Sequence, residues 1–339
     1  MVLHFRKATE VYKKTLPYVI LQLAIGIAFA VLGVIYLSFI GWLGYRFLFG
    51  SGGASLLIVG IVMIIGFVTY AFIWRLIQKY FLYSVKTGHV AVIAHIVEEG
   101  EVPDNQISYG MREVKDYFVE TTALFTVSMV IDAVLKQFNR AVARVEDLIP
   151  IPLPKQLQTL ITILQKSIVL AVKYLDNAII AYMFVDRNDN RWKSARDGIV
   201  LYGKTWKMVL GSTLLIVFGM YVVSFVLLTL AAPLAVGLDL LPTSLELVSW
   251  LVVGGVIAVF HTGVFKPWVK TVVITTFLIE QRDTEPDNET MEWIASHSDR
   301  FKNEVMEKAE NNEPIAEEAP ETGGPSETPA ESGSDPADD

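Results

Sequence analysis

The chain has 339 residues, of which 53% are apolar, and its formal net charge is −8 at neutral pH. The absence of cysteine excludes disulfide bonds, thiolate metal sites and a cysteine nucleophile. Residues 310–339 hold ten acidic residues and no Lys or Arg, which leaves residues 1–309 with a net charge of +2. The main part of the chain is therefore slightly basic, as expected for a protein that faces anionic lipid headgroups.

Two apolar segments near the N-terminus are long enough to cross a bilayer. Residues 18–45 and 54–74 are nearly free of charge, and a crossing helix needs ~20 residues. Residues 47–53 between them are short and rich in glycine, so the pair is predicted to form an antiparallel hairpin. The first apolar run is much longer than the core of a signal peptide and lacks a clear cleavage site. We therefore expect it to be retained as the first span.

An amphipathic helix is predicted over residues 121–146. Apolar residues recur every three to four positions or at seven, and a charged stripe with spacing four lies on another face. Asp132 and Lys136 in this stripe are spaced to pair with each other. The basic face predicts a helix on the inner leaflet, and packing against a neighbouring cytoplasmic helix is the alternative. The residues predicted to contact the membrane surface are Lys136, Arg140 and Arg144.

A second amphipathic stretch covers residues 157–184, after a proline-rich break at 149–154. It is long enough to cross the membrane. If 121–138 and 157–184 inserted together, the chain would have six spans, and Lys173 and Asp176 would lie at membrane depth, where charges are usually functional. Four spans with an interfacial or re-entrant pair avoid the cost of several uncompensated charges and are the preferred prediction.

Residues Gly198 to Thr205 match the phosphate-binding string G-x-x-x-x-G-K-[ST]. The four intervening residues are bulky and apolar, and no strand precedes them, whereas a true phosphate loop follows a buried strand. We therefore predict a helix that enters the third span, and no nucleotide site.

A second pair of spans is predicted over 208–236 and 247–265, joined by a short link at 237–244. Basic residues flank the inner ends of all four spans and are nearly absent from both links. By the positive-inside rule, both termini and the middle segment are predicted to be cytoplasmic, in a cell membrane. His261 lies inside the fourth span, where bonding to a neighbouring helix is favoured over contact with a ligand.

The C-terminal part is predicted to contain one more helix and a tail. Residues 284–309 place Met291, Ile294, Phe301 and Val305 on one side of a charged helix. Residues 310–339 are acidic, contain five prolines and lack aromatic residues, so they are predicted to be disordered. The tail serves as a solvating segment by default, or it binds a basic protein partner.

Together these features predict an all-α, polytopic membrane protein. Two transmembrane hairpins are separated by long amphipathic helices, and a disordered acidic tail comes last. The predicted segments are 1–84 (N-terminal segment and first hairpin), 85–207 (cytoplasmic or interfacial), 208–282 (second hairpin), 283–309 (juxtamembrane helix) and 310–339 (tail).

A family resemblance appears in the C-terminal half. Residues 170–209 contain Lys173-Tyr174-Leu175-Asp176-Asn177-Ala178, then Ser194-Ala195-Arg196-Asp197-Gly198 and a basic entry into a span. Residues 276–282, Thr-Phe-Leu-Ile-Glu-Gln-Arg, close the last span. In order and spacing, residues 121–285 resemble the C-terminal part of choline transporter-like proteins. The resemblance implies movement of a small amine or lipid-derived solute.

The leading functional prediction is thus a transporter-like protein without enzymatic activity. A quaternary ammonium would need an aromatic cage, although anchoring at the interface already explains most of the aromatic residues at the span ends. The candidate ligand-binding residues are Lys173, Asp176, Tyr202, Trp206, His261 and Trp268. The alternative is a membrane scaffold whose amphipathic helices bind the inner leaflet and whose tail recruits partners. We expect no catalytic constellation, metal, cofactor or nucleic acid; four spans make a narrow bundle, which leaves a homo-oligomer open.

Overall fold

The computed structural model describes residues 4–49, 56–117, 121–142, 174–238 and 261–314. Over these residues the chain is all-α and contains no strand. Residues 143–173, residues 239–260, which include most of the predicted link at 237–244 and most of the predicted fourth span at 247–265, and the predicted tail from residue 315 lie outside the described residues. The helices are α1 (Phe5–Lys14), α2 (Leu16–Phe49), α3 (Leu56–Leu76), π1 (Ile77–Leu82), α4 (Tyr83–Glu99), α5 (Gln106–Tyr117), α6 (Thr121–Val142), α7 (174–186), α8 (Arg191–Leu238), π2 (His261–Phe265), α9 (Lys266–Gln281), α10 (Asn288–His297), π3 (Phe301–Met306) and α11 (Glu307–Glu310).

Helices α2 and α3 pack against each other and form what we call the apolar hairpin. Among the described residues, two helical stretches are long and apolar enough to cross a membrane, Leu16–Phe47 and Val59–Leu76. Only 7% and 11% of their most apolar windows are buried, whereas the core helix of a soluble protein is mostly buried. Large side chains such as Ile64 and Phe72 project outward. Their exposure supports association of the hairpin with a membrane.

The other described helices, with the first part of α8, form a second region that we call the body. The body has its own hydrophobic core, to which α1, α4, α5, α6, α7, α8, α9 and α10 all contribute. The bulkiest side chains that are almost fully buried there are Phe138, Trp192, Tyr202, Phe277 and Phe301. The body therefore combines segments that are far apart in the sequence.

Helices α4 and α9 are the two most buried helices of the body. Twelve of the 17 residues of α4 are buried, including the run Val90–Ala94, which is too short to be a span. Helix α4 ends at Gly100, which adopts a left-handed conformation at φ 79° and donates its backbone N–H to the carbonyl of Ile96. Residues 101–105 then lead into α5, where Asn105 Oδ1 accepts the backbone N–H of Ser108 and caps the helix.

Two glycines allow α4 and α5 to cross closely. A Cβ atom added to Gly110 would lie 2.4 Å from the carbonyl oxygen of Gly88, and one added to Gly88 would lie 2.4 Å from the hydroxyl of Tyr18. No side chain fits at either position without movement of its neighbours. This crossing also ties the first turn of α2 to the body, because the Tyr18 hydroxyl donates to the carbonyl of Ile107.

Helix α8 runs without interruption from Arg191 to Leu238 and so joins the body to the predicted third span. The predicted helix over 198–205 is confirmed. Gly198 faces Ile179, and Gly203 faces Ile294, at distances that leave no room for larger residues. The glycines of the phosphate-loop string therefore serve close helix packing.

The C-terminal segment differs in one respect from the single helix that its pattern suggests. Ser298 adopts an extended backbone and separates α10 from π3. Its hydroxyl donates to Gln137 Oε1 at 2.9 Å and accepts the backbone N–H of Phe301 at 3.2 Å, so it caps the second piece. The break lets Ile294, Phe301 and Val305 all reach the core of the body.

The helices of the hairpin continue into helices of the body. Only Thr15 separates α1 from α2, and the six-residue segment π1 joins α3 to α4. The segment π2 similarly precedes α9. We call the region around π1, π2 and Thr15 the junction.

Candidate functional site: a lysine-rich cluster at the junction

The structure describes the side chains of only some of the predicted site residues. Lys173 and Arg144 lie outside the described residues, and Arg140, Trp206 and His261 are described only as helical positions in α6, α8 and π2. For these five residues the predicted roles stay predictions. The side chains of Asp176, Tyr202, Trp268 and Lys136 are described.

Both described aromatic candidates take part in packing of the body. Tyr202 is only 1% exposed and meets Phe138 edge to face, with 6.2 Å between the ring centroids. Trp268 stacks on Phe5 and Phe265, and its Nε1–H donates to Thr9 Oγ1 at 3.1 Å. These contacts hold α1 against α9 and α6 against α8.

The predicted pair on α6 is confirmed. Lys136 Nζ donates to Asp132 Oδ2 across one helical turn, and both side chains are about one-third exposed. The ammonium of Lys136 is thus matched by a carboxylate. A lysine with such a partner attracts an anion less strongly than an unpaired one.

Charged residues from three helices converge at the junction. Lys86 and His89 lie on α4, Lys270 lies on α9, and Asp176 lies on α7. Lys266 precedes Lys270 by four residues and so occupies the same face of α9. We call these five residues the junction cluster.

Lys270 is the buried cation of the junction cluster. Its residue is 9% exposed, and its Nζ donates to the carbonyl oxygen of Lys86 at 3.4 Å. Burial, and next the positive charge of Lys86, lower the pKa of Lys270 to about 7. Burial and the nearby charge of Lys266 lower the pKa of Lys86 in the same way.

Asp176 places a carboxyl group near Lys270. It is half-buried, and its Oδ1 accepts both the backbone N–H and the side-chain amide of Asn177 at 2.6 Å. Desolvation is the largest influence and raises the pKa of Asp176 to about 7, with a further upward contribution from Asp132. Near neutral pH the carboxyl is therefore only partly ionised and offsets little of the lysine charge.

His89 connects the junction cluster to the apolar hairpin. Its ring is fully buried and stacks on Tyr18, with the centroids 5.3 Å apart. The side-chain amide nitrogen of Gln22 lies 3.2 Å from Nδ1, and donation from that amide leaves the ring proton on Nε2. Among the described residues, Nε2 has no hydrogen-bond partner. Burial, and next Lys270, lower the pKa of His89 well below its usual value, so the ring is neutral.

The sequence identifies Asp176 as a candidate but not its neighbours. Lys86, Lys266 and Lys270 indicate orientation when read as basic residues at span ends, and nothing local marks them as a set. One signal was available: Lys266 and Lys270 are one helical turn apart within an otherwise apolar stretch. The proximity of α4, α7 and α9 depends on the tertiary fold, which residue spacing does not reveal.

The junction cluster offers donors and positive charge in excess of negative charge. The cluster contains the ammonium groups of Lys86 and Lys266, the partly charged Lys270, one imidazole N–H and a single carboxyl that is only partly ionised. Such a set of groups suits the binding of an anion. Among the described residues, no group of three or more His, Asp and Glu side chains could hold a metal ion.

Comparison with protein-family models found no match for the chain. Comparisons with curated proteins and with solved structures also found none. The functional argument therefore rests on the residues themselves, and the resemblance to choline transporter-like proteins stays a prediction.

Proposed function

We propose that the protein is a non-enzymatic membrane scaffold: apolar helices anchor it, and the helical body forms a platform beneath the inner leaflet. The observation that carries the proposal is the distribution of charge. Within Leu16–Phe47 and Val59–Leu76, charge is confined to Arg46 and Arg75, at the ends of the two stretches. The junction cluster and its neighbours lie in the body. A transport pathway for a charged solute would be expected to place such groups at membrane depth.

The proposed topology has four spans with both termini in the cytoplasm. Support comes from the basic residues at the junction, which the positive-inside rule assigns to the cytoplasmic side. The continuity of α8 across the predicted third span also supports it, because the body and that span then share one helix. The body would thus lie entirely on the cytoplasmic side.

The proposed partners are the lipid bilayer and a basic protein. The C-terminal helices α10 and α11 expose several carboxylates, and the acidic segment beyond them adds more negative charge. A basic partner would be attracted to both regions. The exposed acidic residues of these helices include Glu289, Glu292, Glu307 and Glu310.

Single-cysteine labelling tests the topology, because the chain has no cysteine of its own. We would place cysteine at Glu10 in α1, at Glu292 in α10 and at Ser51 in the first link, and label intact cells with a membrane-impermeant maleimide. Glu10→Cys and Glu292→Cys should react only after the cells are opened, and Ser51→Cys should react from outside. Labelling of Glu292→Cys in intact cells would contradict the proposal.

A transporter for a small amine is the second candidate, and one observation favours it. A groove of 420 Å³ on the apolar hairpin is lined by aromatic rings. Tyr36 and Tyr70 stack at 5.6 Å, and Tyr70 and Trp74 stack at 6.4 Å. Aromatic faces attract quaternary ammonium groups. The groove has no charged residue in its lining, however, so it offers no partner for proton or ion coupling.

Uptake of radiolabelled choline into vesicles that contain the purified chain separates the two candidates. A scaffold should give the same uptake as protein-free vesicles. A transporter should give uptake above that background, and Tyr70→Leu should reduce it, whereas Phe72→Leu, on the same helix but outside the groove, should not. Uptake that depends on Tyr70 would contradict the scaffold function and support the transporter function.

A further inference from the structure

We propose that Lys86, Lys266 and Lys270 form a binding site for a phosphate-bearing anion, with the phosphate of an anionic lipid headgroup as its source. The proposal rests on the proposed function, because the membrane places headgroups at the junction. It goes beyond that function by naming a specific site and a ligand class.

The first support is the absence of a counter-charge. Among the described residues, no carboxylate lies within ion-pair distance of Lys86, Lys266 or Lys270. Other lysines have one: Lys14 pairs with Glu10 at 3.1 Å, and Lys204 pairs with Asp287 at 3.0 Å. The positive charge of each neighbouring lysine disfavours protonation of the next, as the lowered pKa values of Lys86 and Lys270 show, and a bound anion would reduce that repulsion.

The second support is the burial of the polar groups. Lys270 is buried, whereas Lys86 and Lys266 are exposed. The Nε2–H of His89 is fully buried near Lys270 and has no acceptor among the described residues. A phosphate oxygen would supply one. A buried donor without a partner is costly, so its presence near Lys270 supports a bound anion there.

The third support is the position of the site. Lys86 lies four residues after π1, and Lys266 follows π2 directly. π-Helical segments occur frequently at functional sites. If the apolar hairpin spans the membrane, these lysines lie at headgroup level, where basic pockets between helices bind anionic lipids. Lysine binds phosphate as a compact point charge, which suits a ligand that varies in orientation.

Native mass spectrometry on the full chain tests the proposal. The chain would be extracted from nanodiscs that contain phosphatidylcholine with phosphatidylglycerol, and retained lipid would be counted. The test variant is Lys86→Gln/Lys266→Gln/Lys270→Met. The matched control is Lys7→Gln/Lys13→Gln/Lys14→Gln, which removes the same charge from α1. The wild type and the control should retain one phosphatidylglycerol per chain, and the test variant should lose roughly tenfold or more of it.

Equal loss in both triple variants would overturn the proposal in favour of general surface electrostatics, and no loss in either would exclude the lysines as the lipid site. Thermal melting verifies that the test variant is folded. If it is not, the single variant Lys266→Gln, at an exposed position, should still weaken retention several-fold, and no change would overturn the site.

A second arm separates the sources of phosphate. Inorganic phosphate is titrated against the chain in uncharged detergent and followed by calorimetry. Binding that the test variant abolishes, together with no retention of lipid, would assign the site to a soluble phosphate and overturn the lipid source. Failure of both arms while the chain remains membrane-inserted would remove the site and leave the proposed function intact. Phosphate binding by a chain that does not insert would contradict the proposed function and the lipid source, and would leave only the lysine site itself.

Discussion

Helices α3 and α4 are joined only by π1 and yet have opposite surroundings. In α3 the apolar side chains project outward, and Ile64 is 64% exposed. In α4 the run Val90–Ala94 is buried on all sides by α5 and α9. The run Val90–Ala94 is as apolar as α3 but much shorter, so the difference comes from length and neighbours. The 21 residues of α3 can cross a bilayer, whereas Lys86 and His89 leave α4 too short an apolar length. The positions of charged residues thus determine whether an apolar segment is long enough to span a bilayer or is instead buried in a protein core.

The largest expected effect on stability comes from removal of an aromatic ring in the core of the body, compared with removal of an exposed ring on the hairpin. Phe277→Ala removes a fully buried side chain from the body and should cost about 3–5 kcal/mol of unfolding free energy. Phe72→Ala removes a ring that is 61% exposed and should have little effect on the unfolding of the body. Denaturant unfolding in mild detergent, followed by near-UV circular dichroism, measures both. Comparable losses would show that the body and the hairpin do not differ as described.

The buried cation of the body gives the next prediction. Lys270→Met replaces an ammonium that has no carboxylate within ion-pair distance in the described part of the chain, and it should raise the stability of the body at pH 7 by about 1–3 kcal/mol. Because the folded pKa of Lys270 is lowered to about 7, wild-type stability should rise with pH between about 7 and 10.5. The variant should lack that rise.

The raised pKa of Asp176 predicts that stability decreases as the pH rises toward neutrality, the opposite of the effect of Lys270 at higher pH. Its folded pKa is raised to about 7, so the folded chain holds a proton that the unfolded chain releases, and stability should fall as pH rises from about 4 to 7. Asp176→Asn should flatten this limb. Melting temperatures from pH 4 to 10 measure both limbs, and a wild-type profile without a minimum near neutral pH would contradict the described burial of these groups.

Glycine substitutions test whether the helices of the body pack more closely than those of the hairpin. Gly110→Ala places a methyl group 2.4 Å from the carbonyl of Gly88, so it should destabilise the body by about 1–3 kcal/mol. Gly26→Ala in α2 meets no atom within 4 Å and should be neutral or slightly stabilising. The melting temperature should fall for Gly110→Ala and stay unchanged or rise slightly for Gly26→Ala; a fall in both variants would mean that α2 is packed where it is described as open.

The smallest effect is at a helix start. Asn190 Oδ1 accepts the backbone N–H of Lys193 at 2.9 Å, and its amide donates to the carbonyl of Ala309 at 2.7 Å. Asn190→Ala should cost about 1 kcal/mol. Asn303→Ala, at an exposed position in π3, is the control and should change little. Urea titration of both variants resolves this difference, and equal midpoints would exclude a capping role for Asn190.

Local patterns predicted local structure well. The pairing of Asp132 with Lys136 and the helix over 198–205 both depend on residues within two turns of each other, and both are confirmed. The junction cluster depends on positions 89, 176 and 270, and no spacing rule relates residues so far apart. The burial of Val90–Ala94 was hidden for the same reason: the run is too short to span, and only its packing against α9 shows that it belongs to a core.

The π-helical segments π1 and π2 determine how far the helices of the body are rotated about their axes relative to the helices that precede them. A π-helical turn accommodates one residue more than an α-helical turn, and each added residue rotates the next helix by about 100°. Deletion of one residue within Ile77–Leu82 would therefore turn α4 relative to α3 and direct His89 away from Tyr18. Such a segment tolerates an insertion that an α-helix would reject. Residues of the hairpin and residues of the body can thus change independently. Insertion or deletion of one residue in the π-helical segment between them restores the rotation that each region needs.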